Sequence, residues 1–340
     1  MNSRNKRFAS CAAVQLGKWM FAVVMASAAS LSITPTQAAT SDAWPTKPIR
    51  MLVGFGAGGP TDVVARIVAQ KMSEELGQPI VIENRGGAGG NIAVAALLQA
   101  PADGYTLLYN TSSITIAPWV YASVGFDPIK DFTPVGSTAS VPLLLITNPK
   151  VDARTPKELV ELIKKNPGKL NYASSGTGAI EHLTAAQLLS QVGGQATHVP
   201  YTGTAPAQVD LIAGATQFTT TTLNTALAMV KKGDLRALAV TSAQRSPTLP
   251  DVPTIGESLL PGFVSEAWQG IVAPKDTPPQ VVARLNKAIN AALESAGVRE
   301  KLLAQGTTVL GGTSEQYAAK IQAEYTRWKD VVALSGARAQ

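Results

Sequence analysis

Residues 51–72, MLVGFGAGGPTDVVARIVAQKM, limit the fold more than any other stretch. The run Ile49–Val53, apolar but for Arg50, meets Gly54, Gly56, Gly58, Gly59 and Pro60. Val63, Val64, Ile67, Val68 and Met72 then fall on one face of a 3.6-residue period. The pattern predicts a strand, a tight loop and a helix. Such a loop presents backbone N–H groups at a helix N-terminus, where the first four donors lack intrahelical partners and an anion is favoured. Gly54, Gly56 and Gly59 also satisfy G-x-G-x-x-G, and a second apolar run ends in Glu83, 24 residues beyond Gly59. That is the spacing of a dinucleotide fingerprint, so the loop alone admits a nucleotide.

The N-terminus argues against that. Arg4, Lys6, Arg7 and Lys18 form a basic front without an acid, Trp19–Leu31 is an apolar run of 13 residues, and small residues follow to Ala39. Residues 1–38 therefore have the layout of a secretory leader, cleaved after Ala38 or Ala39; a membrane anchor is the alternative, but the run is short for a span. Without the leader, Lys plus Arg falls from 29 to 25 against 23 acids, and the net charge from +6 to +2. The basic balance of the whole chain thus belongs to targeting and is no nucleic-acid footprint. The one cysteine, Cys11, leaves with the leader, so disulfides, thiol nucleophiles and cysteine metal ligands are excluded. No later stretch approaches 18 uninterrupted apolar residues, and a soluble exported protein is expected. Free nucleotides are scarce in such a compartment.

Strands then alternate with helical patterns, which predicts an α/β protein with parallel sheets. Strands are expected over 47–53, 79–83 and 105–109, and helices over 62–76 (stopped by Gly77) and 92–99. Residues 127–138 read as irregular and 141–147 as an apolar crossing into a second domain. The grammar repeats there, with helices over 156–165, 180–192, 207–212 and 223–231, and strands over 170–173, 196–199, 217–220 and 236–241. Proline-rich 246–261 reads as a connector and 263–273 as a returning strand. The last helices are expected over 278–295 and 314–334; the second starts with a capping box, Thr313-x-x-Gln316, and carries a stripe of Tyr317, Ile321, Tyr325, Trp328 and Val332 expected to pack on the first domain.

No catalytic constellation emerges. The only histidines, His182 and His198, stand 16 residues apart, no zinc spacing occurs, and neither Ser174 nor Ser175 follows a glycine two residues back as a nucleophile elbow requires. His182 is expected to orient the Ser174 loop by hydrogen bonding, and His198 to be structural. One device does recur: loops of Gly, Ser and Thr before helices, at Gly54–Gly59, Gly86–Gly90, Thr111–Ser113, Ser174–Gly178 and Thr202–Ala205, poor in Arg and Lys. A hydrogen bond to a charged acceptor contributes about 1.5–3 kcal/mol, a helix N-terminus about 0.3–1 kcal/mol, and micromolar binding needs about 8 kcal/mol. About four to six neutral donors could therefore hold a carboxylate without an arginine clamp.

The order of motifs resembles one family throughout. Trp44-Pro45-x-Lys47-Pro48-Ile49-Arg50, Gly56-Ala57-Gly58-Gly59-x-Thr61-Asp62, Glu83-Asn84-Arg85-x-Gly87-Ala88-Gly89-Gly90 and Asp103-Gly104-Tyr105-Thr106 are similar to the opening of Bug-family extracytoplasmic solute receptors, the binding components of tripartite tricarboxylate transporters. Pro167-Gly168-Lys169-Leu170, His198-Val199-Pro200-Tyr201-x-Gly203-x-Ala205-Pro206, Pro250-Asp251-Val252-Pro253-Thr254 and Trp268-x-Gly270 continue the resemblance through the rest of the chain.

The resemblance implies a type II periplasmic-binding-protein fold: two α/β domains, 41–139 with 266–340 and 140–265, joined by two crossing strands around a ligand cleft. It implies a monomeric periplasmic receptor that binds a small carboxylate and hands it to integral-membrane permease subunits, with no cofactor, metal ion, nucleic acid or enzymatic step. The first loop's role carries over to Phe55, Gly56, Ala57, Gly58, Gly59, Thr61 and Asp62. Ser174, Ser175, Gly176, Thr177, His182, Tyr201, Thr204 and Ala205 would line the opposite wall, with Thr111 and Ser112 as further candidates. Where many relatives carry an acid after the strand that starts near Gln217, this chain has Thr221, so a monocarboxylate with an uncharged tail or a dicarboxylate is expected, not an amino acid. A sensory receptor, and more remotely an exported hydrolase or nucleotide-dependent enzyme, are the alternatives.

Overall fold

The structure, a computed structural model, describes residues 44–338. The leader read over 1–38, with its cleavage points at Ala38 and Ala39, lies outside them. In chain order the elements begin β1 (Ile49–Val53), α1 (Pro60–Leu76), β2 (Ile80–Asn84), α2 (Asn91–Leu98), β3 (Thr106–Thr111), α3 (Ser113–Val120) and β4 (Phe132–Thr147). Next come α4 (Pro156–Lys165), β5 (Asn171–Ser174), α5 (Ile180–Val192), β6 (Thr197–Pro200), α6 (Thr204–Ala213), β7 (Phe218–Thr222), α7 (Leu223–Lys232) and β8 (Arg236–Val240). The chain closes with α8 (Ile255–Ser258), β9 (Glu266–Pro274), α9 (Pro279–Glu294), α10 (Ala296–Ala304), β10 (Thr308–Val309) and α11 (Ser314–Ser335).

Two half-sheets share one long strand. The first has the order β2-β1-β3-β9-β4, with β1 parallel to β2 and β3, and β9 antiparallel to both its neighbours. In the second, β5 is parallel to β6 and β7, and β4 is antiparallel to β7 and β8, so the order is β6-β5-β7-β4-β8. Strand β4 lies between β9 and the short antiparallel β10 in the first half-sheet and is the inserted antiparallel strand of the second. It pairs with β9 up to Pro142 and with β7 from Leu143 on. At this change of partner the Leu143 N–H donates to Thr241 Oγ1 at 2.8 Å, and the Thr241 N–H donates to the Leu143 carbonyl.

Local sequence explains most of the helices. Pro60 stands at the first position of α1 and Gly77 ends it in the left-handed conformation, φ 70°. Val64, Val68 and Met72 bury one face of α1 against Leu285 and Ile289 of α9, and each fully buried aliphatic side chain contributes about 1.5–3 kcal/mol. The reciprocal capping box at Thr313 and Gln316 is present. The α11 stripe packs on the first half-sheet only at its start, where Tyr317 and Ile321 join Leu108 and Trp268. Further on, Trp328 and Val332 meet Val120 of α3 and Leu183 of α5, so the helix ties both halves together.

Two further expectations need correction. Residues 132–138 are not irregular: they belong to β4. Shifts of register against β9 between Pro134 and Gly136, and between Ser137 and Ala139, break the two-residue alternation that would have marked a strand. Residues 296–304 and 308–309, unassigned by pattern, form α10 and β10. No helix among the described residues is long and apolar enough to cross a membrane.

Candidate functional site

A cavity of about 540 Å³ lies where loops from both half-sheets meet β4 and β9. Five helices begin at its wall: α1 at Pro60 and Thr61, α3 at Ser112 and Ser113, α5 at Ala179 to Glu181, α6 at Gly203 and Thr204, and α7 at Thr222 and Asn224. None of the five has a side-chain cap. By contrast α4, α8 and α11, which start elsewhere, are closed by Thr155, Thr254 and Thr313. Helices α2, α9 and α10 also start uncapped, so the mark of the site is the convergence of open N-termini and not the missing caps alone. Such ends carry the positive pole of the helix and unpaired donors. A larger hollow of about 820 Å³ runs along α1 and β2, past Arg66, Ser73 and Val81, but no glycine loop reaches it.

Of the residues expected to bind, Phe55, Thr61, Thr111, Ser112, Ser175, Gly176, Thr177 and Thr204 line this cavity. The others do not form its wall. Gly56, Ala57 and Gly58 are exposed at the loop tip and Gly59 caps α1. Asp62 is buried behind the loop and holds it: Oδ2 accepts from Gly58 N and Arg66 Nε, each at 2.8 Å, while Oδ1 accepts from Asn84 Nδ2 at 2.8 Å. Burial opposes its ionisation, yet the bonds from Arg66, Gly58 and Asn84 prevail and keep its carboxyl below the usual range.

The second loop has its own support. Ser174 is buried beneath it, its Oγ 2.7 Å from His198 Nε2 and bonded to the Gly176 amide. His182 Nδ1 accepts from Gly178 N at 3.1 Å, so the neutral ring carries its proton on Nε2 and fixes the loop as expected. Burial, and for His182 also the neighbouring His198, pushes both imidazoles down to about 4. Tyr201 lies beyond the wall with its hydroxyl donated to Asp210 Oδ2 at 2.7 Å. Ala205 is exposed. Thr221 is buried, and its Oγ1 lies 3.2 Å from Thr225 Oγ1, the residue that does line the cavity.

Several wall residues escaped the sequence reading: Tyr121, Glu181, Asn224, Thr225 and Gln269. Gln269 sits on β9, 3 % exposed, with Oε1 accepting from Tyr109 OH at 3.0 Å. Its Nε2 has no partner among the described residues and is left for the cavity. The pattern Trp268-x-Gly270 pointed at this position without showing which way it faces. Ile116, Ala117, Val141, Ile180 and Ala267 add apolar wall. Among the described residues no Lys, Arg or His lines the cavity, and Glu181 is its one acidic residue. An anion here would be held by neutral donors and open helix ends. Among the described residues no cluster of His, Cys, Asp or Glu could hold a metal ion.

Comparison with known proteins agrees with this geometry. The model of the tripartite tricarboxylate transporter family receptor, TctC, matches residues 64–336. The solved periplasmic binding protein BugD is 36 % identical, with a TM-score of 0.76 over 87 % of this chain and 100 % of its own. Rpa4515 of R. palustris, solved with adipate, is 36 % identical, with a TM-score of 0.78 over 86 % and 98 % of the two chains. MatC of Rhodopseudomonas palustris, solved with bound malate, is 34 % identical, with a TM-score of 0.72 over 85 % and 100 %. The half-sheet order, with one inserted antiparallel strand in each half, is accordingly that of the type II periplasmic-binding-protein fold. A match over four-fifths of its length, in a fold shared with solved receptors, means that the chain belongs to the TctC family, the solute-binding receptors of tripartite tricarboxylate transporters.

Proposed function

We propose that this chain is a periplasmic receptor that captures a small carboxylate between its two halves and delivers it to the membrane subunits of a tripartite transporter. The observation that carries the reading is the convergence of five uncapped helix N-termini on a cavity that, among the described residues, no Lys, Arg or His lines. Donors of this kind suit an anion that has to be released again, because no fixed cation holds it. Adipate in Rpa4515 and malate in MatC support a carboxylate class.

The ligand carboxylate meets the first loop around Phe55 and Thr61, with Thr111, Ser112, Ser175, Gly176, Thr177 and Thr204 completing the shell. The apolar wall at Ile116, Val141 and Ala267 suits a hydrocarbon body. Residues 41–139 with 266–340 form one closing body and 140–265 the other, hinged where β4 changes partner between Pro142 and Leu143. The chain acts as a monomer, exported by a leader cut near Ala38 or Ala39. Thr221 offers a hydroxyl where an acid would attract an ammonium group, so the ligand is a monocarboxylate with an uncharged tail or a dicarboxylate.

The test is a thermal-shift and calorimetric panel on the mature protein, with aliphatic and aromatic mono- and dicarboxylates beside amino acids and nucleotides. A ligand at a hundredfold excess over its Kd adds about 2.7 kcal/mol of stability. Shifts confined to nucleotides, or tight binding of glutamate or aspartate alone, would overturn the reading.

A further inference from the structure

Glu181 is the one charged residue type on a wall otherwise built of neutral groups. It occupies the second position of α5, is 8 % exposed, and its Oε2 accepts a single hydrogen bond, from Ser175 Oγ at 2.9 Å. Beyond its own backbone amide, the carboxyl has no further hydrogen-bond partner among the described residues. Among the described residues no Lys, Arg or His forms an ion pair with it. A buried carboxyl group is ordinarily paired or coordinated; this one lines the cavity.

The surroundings supply no charge to balance it. Along α5 and the strands beneath it, the titratable groups are His182, His198 and Tyr172, the two imidazoles stacked on one another and uncharged near neutrality. Strand β7 brings only Phe218 and four threonines. Helix α3 carries no titratable residue, and Tyr121 follows it on the wall. Helix α11 meets α5 through Trp328 and Val332, and its Glu324 and Arg327 pair with each other at 3.3 Å. Burial raises the Glu181 carboxyl above its ordinary range, against weaker pulls from its own backbone amide and the Ser175 hydroxyl. A carboxylate ligand brought to the same wall acts in the same direction, because two like charges disfavour joint ionisation.

We propose that Glu181 binds the ligand as the neutral carboxylic acid, donating its O–H to a ligand carboxylate oxygen, so that capture is linked to one proton and to the exclusion of a second negative charge on the wall. The inference rests on the carboxylate reading above and adds to it. The proton resides on Glu181 in the complex and returns to solvent when the group ionises after release; no covalent bond changes. An O–H donor to an ionised acceptor makes a short, strong bond, whereas an ionised Glu181 would repel the same ligand. Affinity is therefore greatest at low pH and declines as Glu181 ionises.

The experiment uses the mature protein, with adipate and the best carboxylate of the panel as probes, between about pH 5 and pH 8. Wild type should lose affinity by about tenfold per pH unit once Glu181 ionises. Calorimetry in buffers of different ionisation enthalpy should show proton uptake near zero at the low end and rising toward one where the affinity falls. Glu181→Gln, which keeps a donor without a charge, should hold the low-pH affinity within about threefold across the whole range. The infrared carbonyl band of a protonated acid should be present in ligand-free wild type at the low end of the range, fade where the affinity begins to fall, and be missing from Glu181→Gln throughout, a readout that needs no ligand. A flat wild-type affinity with no proton uptake overturns the proposal and leaves the carboxylate reading intact. So does a large loss in Glu181→Gln at low pH, or glutamate binding that depends on Glu181, either of which would make the side chain an acceptor. Failure of every carboxylate to bind at any pH overturns the carboxylate reading itself.

Discussion

The imidazoles of His182 and His198 lie face to face, 3.7 Å between centroids and 3° from parallel. Both belong to the support of one loop: His182 accepts from the Gly178 amide and His198 contacts the Ser174 hydroxyl. A second proton on this stack has nowhere favourable to sit. In the folded chain both rings titrate at about 4, below the 6.5 of an ordinary histidine. The unfolded chain thus binds more protons between those values. The stability contribution is complete above pH 6.5 and is lost as pH falls toward 4. Each pKa unit corresponds to about 1.4 kcal/mol, and mutual repulsion makes the two rings less than additive. Thermal melts should show the loss over this window. His182→Asn, which keeps an acceptor for Gly178, should flatten it.

Asp62 supports the first loop in a comparable way. Asp62→Ala removes the acceptor for Gly58, Asn84 and Arg66 together. Because Gly58 and Asn84 would lose a buried partner, the cost should be about 1–3 kcal/mol in urea denaturation. Ligand affinity should fall too, although Asp62 is not on the cavity wall. An unchanged affinity would mean that the loop holds its shape without this carboxylate.

Gly178 faces Val120 from the other half of the molecule. Its φ of +79° lies in the left-handed region, and a Cβ there would collide with the Val120 side chain. Gly178→Ala should cost about 1–3 kcal/mol and weaken ligand binding by loosening the loop. Val120→Ala in the same chain should recover part of the loss, a coupling that a double-mutant cycle measures.

Tyr109 fixes the direction of Gln269. Its hydroxyl donates to Gln269 Oε1 at 3.0 Å and lies 2.8 Å from Thr138 Oγ1, which leaves Nε2 for the cavity. Tyr109→Phe should therefore reduce carboxylate affinity by about tenfold, or 1.4 kcal/mol, with no contact to ligand of its own. Gln269→Glu, which replaces that donor by an acceptor, should reduce it further. Calorimetry on the two variants checks both.

Much of the scaffold was legible in one dimension. The bounds expected for α4 and α5 are those observed, because their signals are local: Thr155 caps α4 before Pro156, and the left-handed Gly193 ends α5. The first strand, loop and helix were legible for the same reason, as was His182, four residues from the amide it holds. Where pairing partners lie far apart in sequence, local patterns failed. The first half of β4 owes its extended form to β9, more than 100 residues away, and its buried Ser137 and Thr138 read as a polar loop.

The same division runs through the site. The sequence by itself determined that open helix ends would present neutral donors, since glycine-rich turns before amphipathic runs can form little else. It also determined, through its motifs, the family to which those turns belong. Only the tertiary structure decided which donors share a cavity. It placed Asp62 behind the loop and Glu181 on the wall, although each stands at an early position of its helix. Which side of a helix end meets the cavity depends on how the two half-sheets pack, and that orientation is a property of contacts between residues distant along the chain.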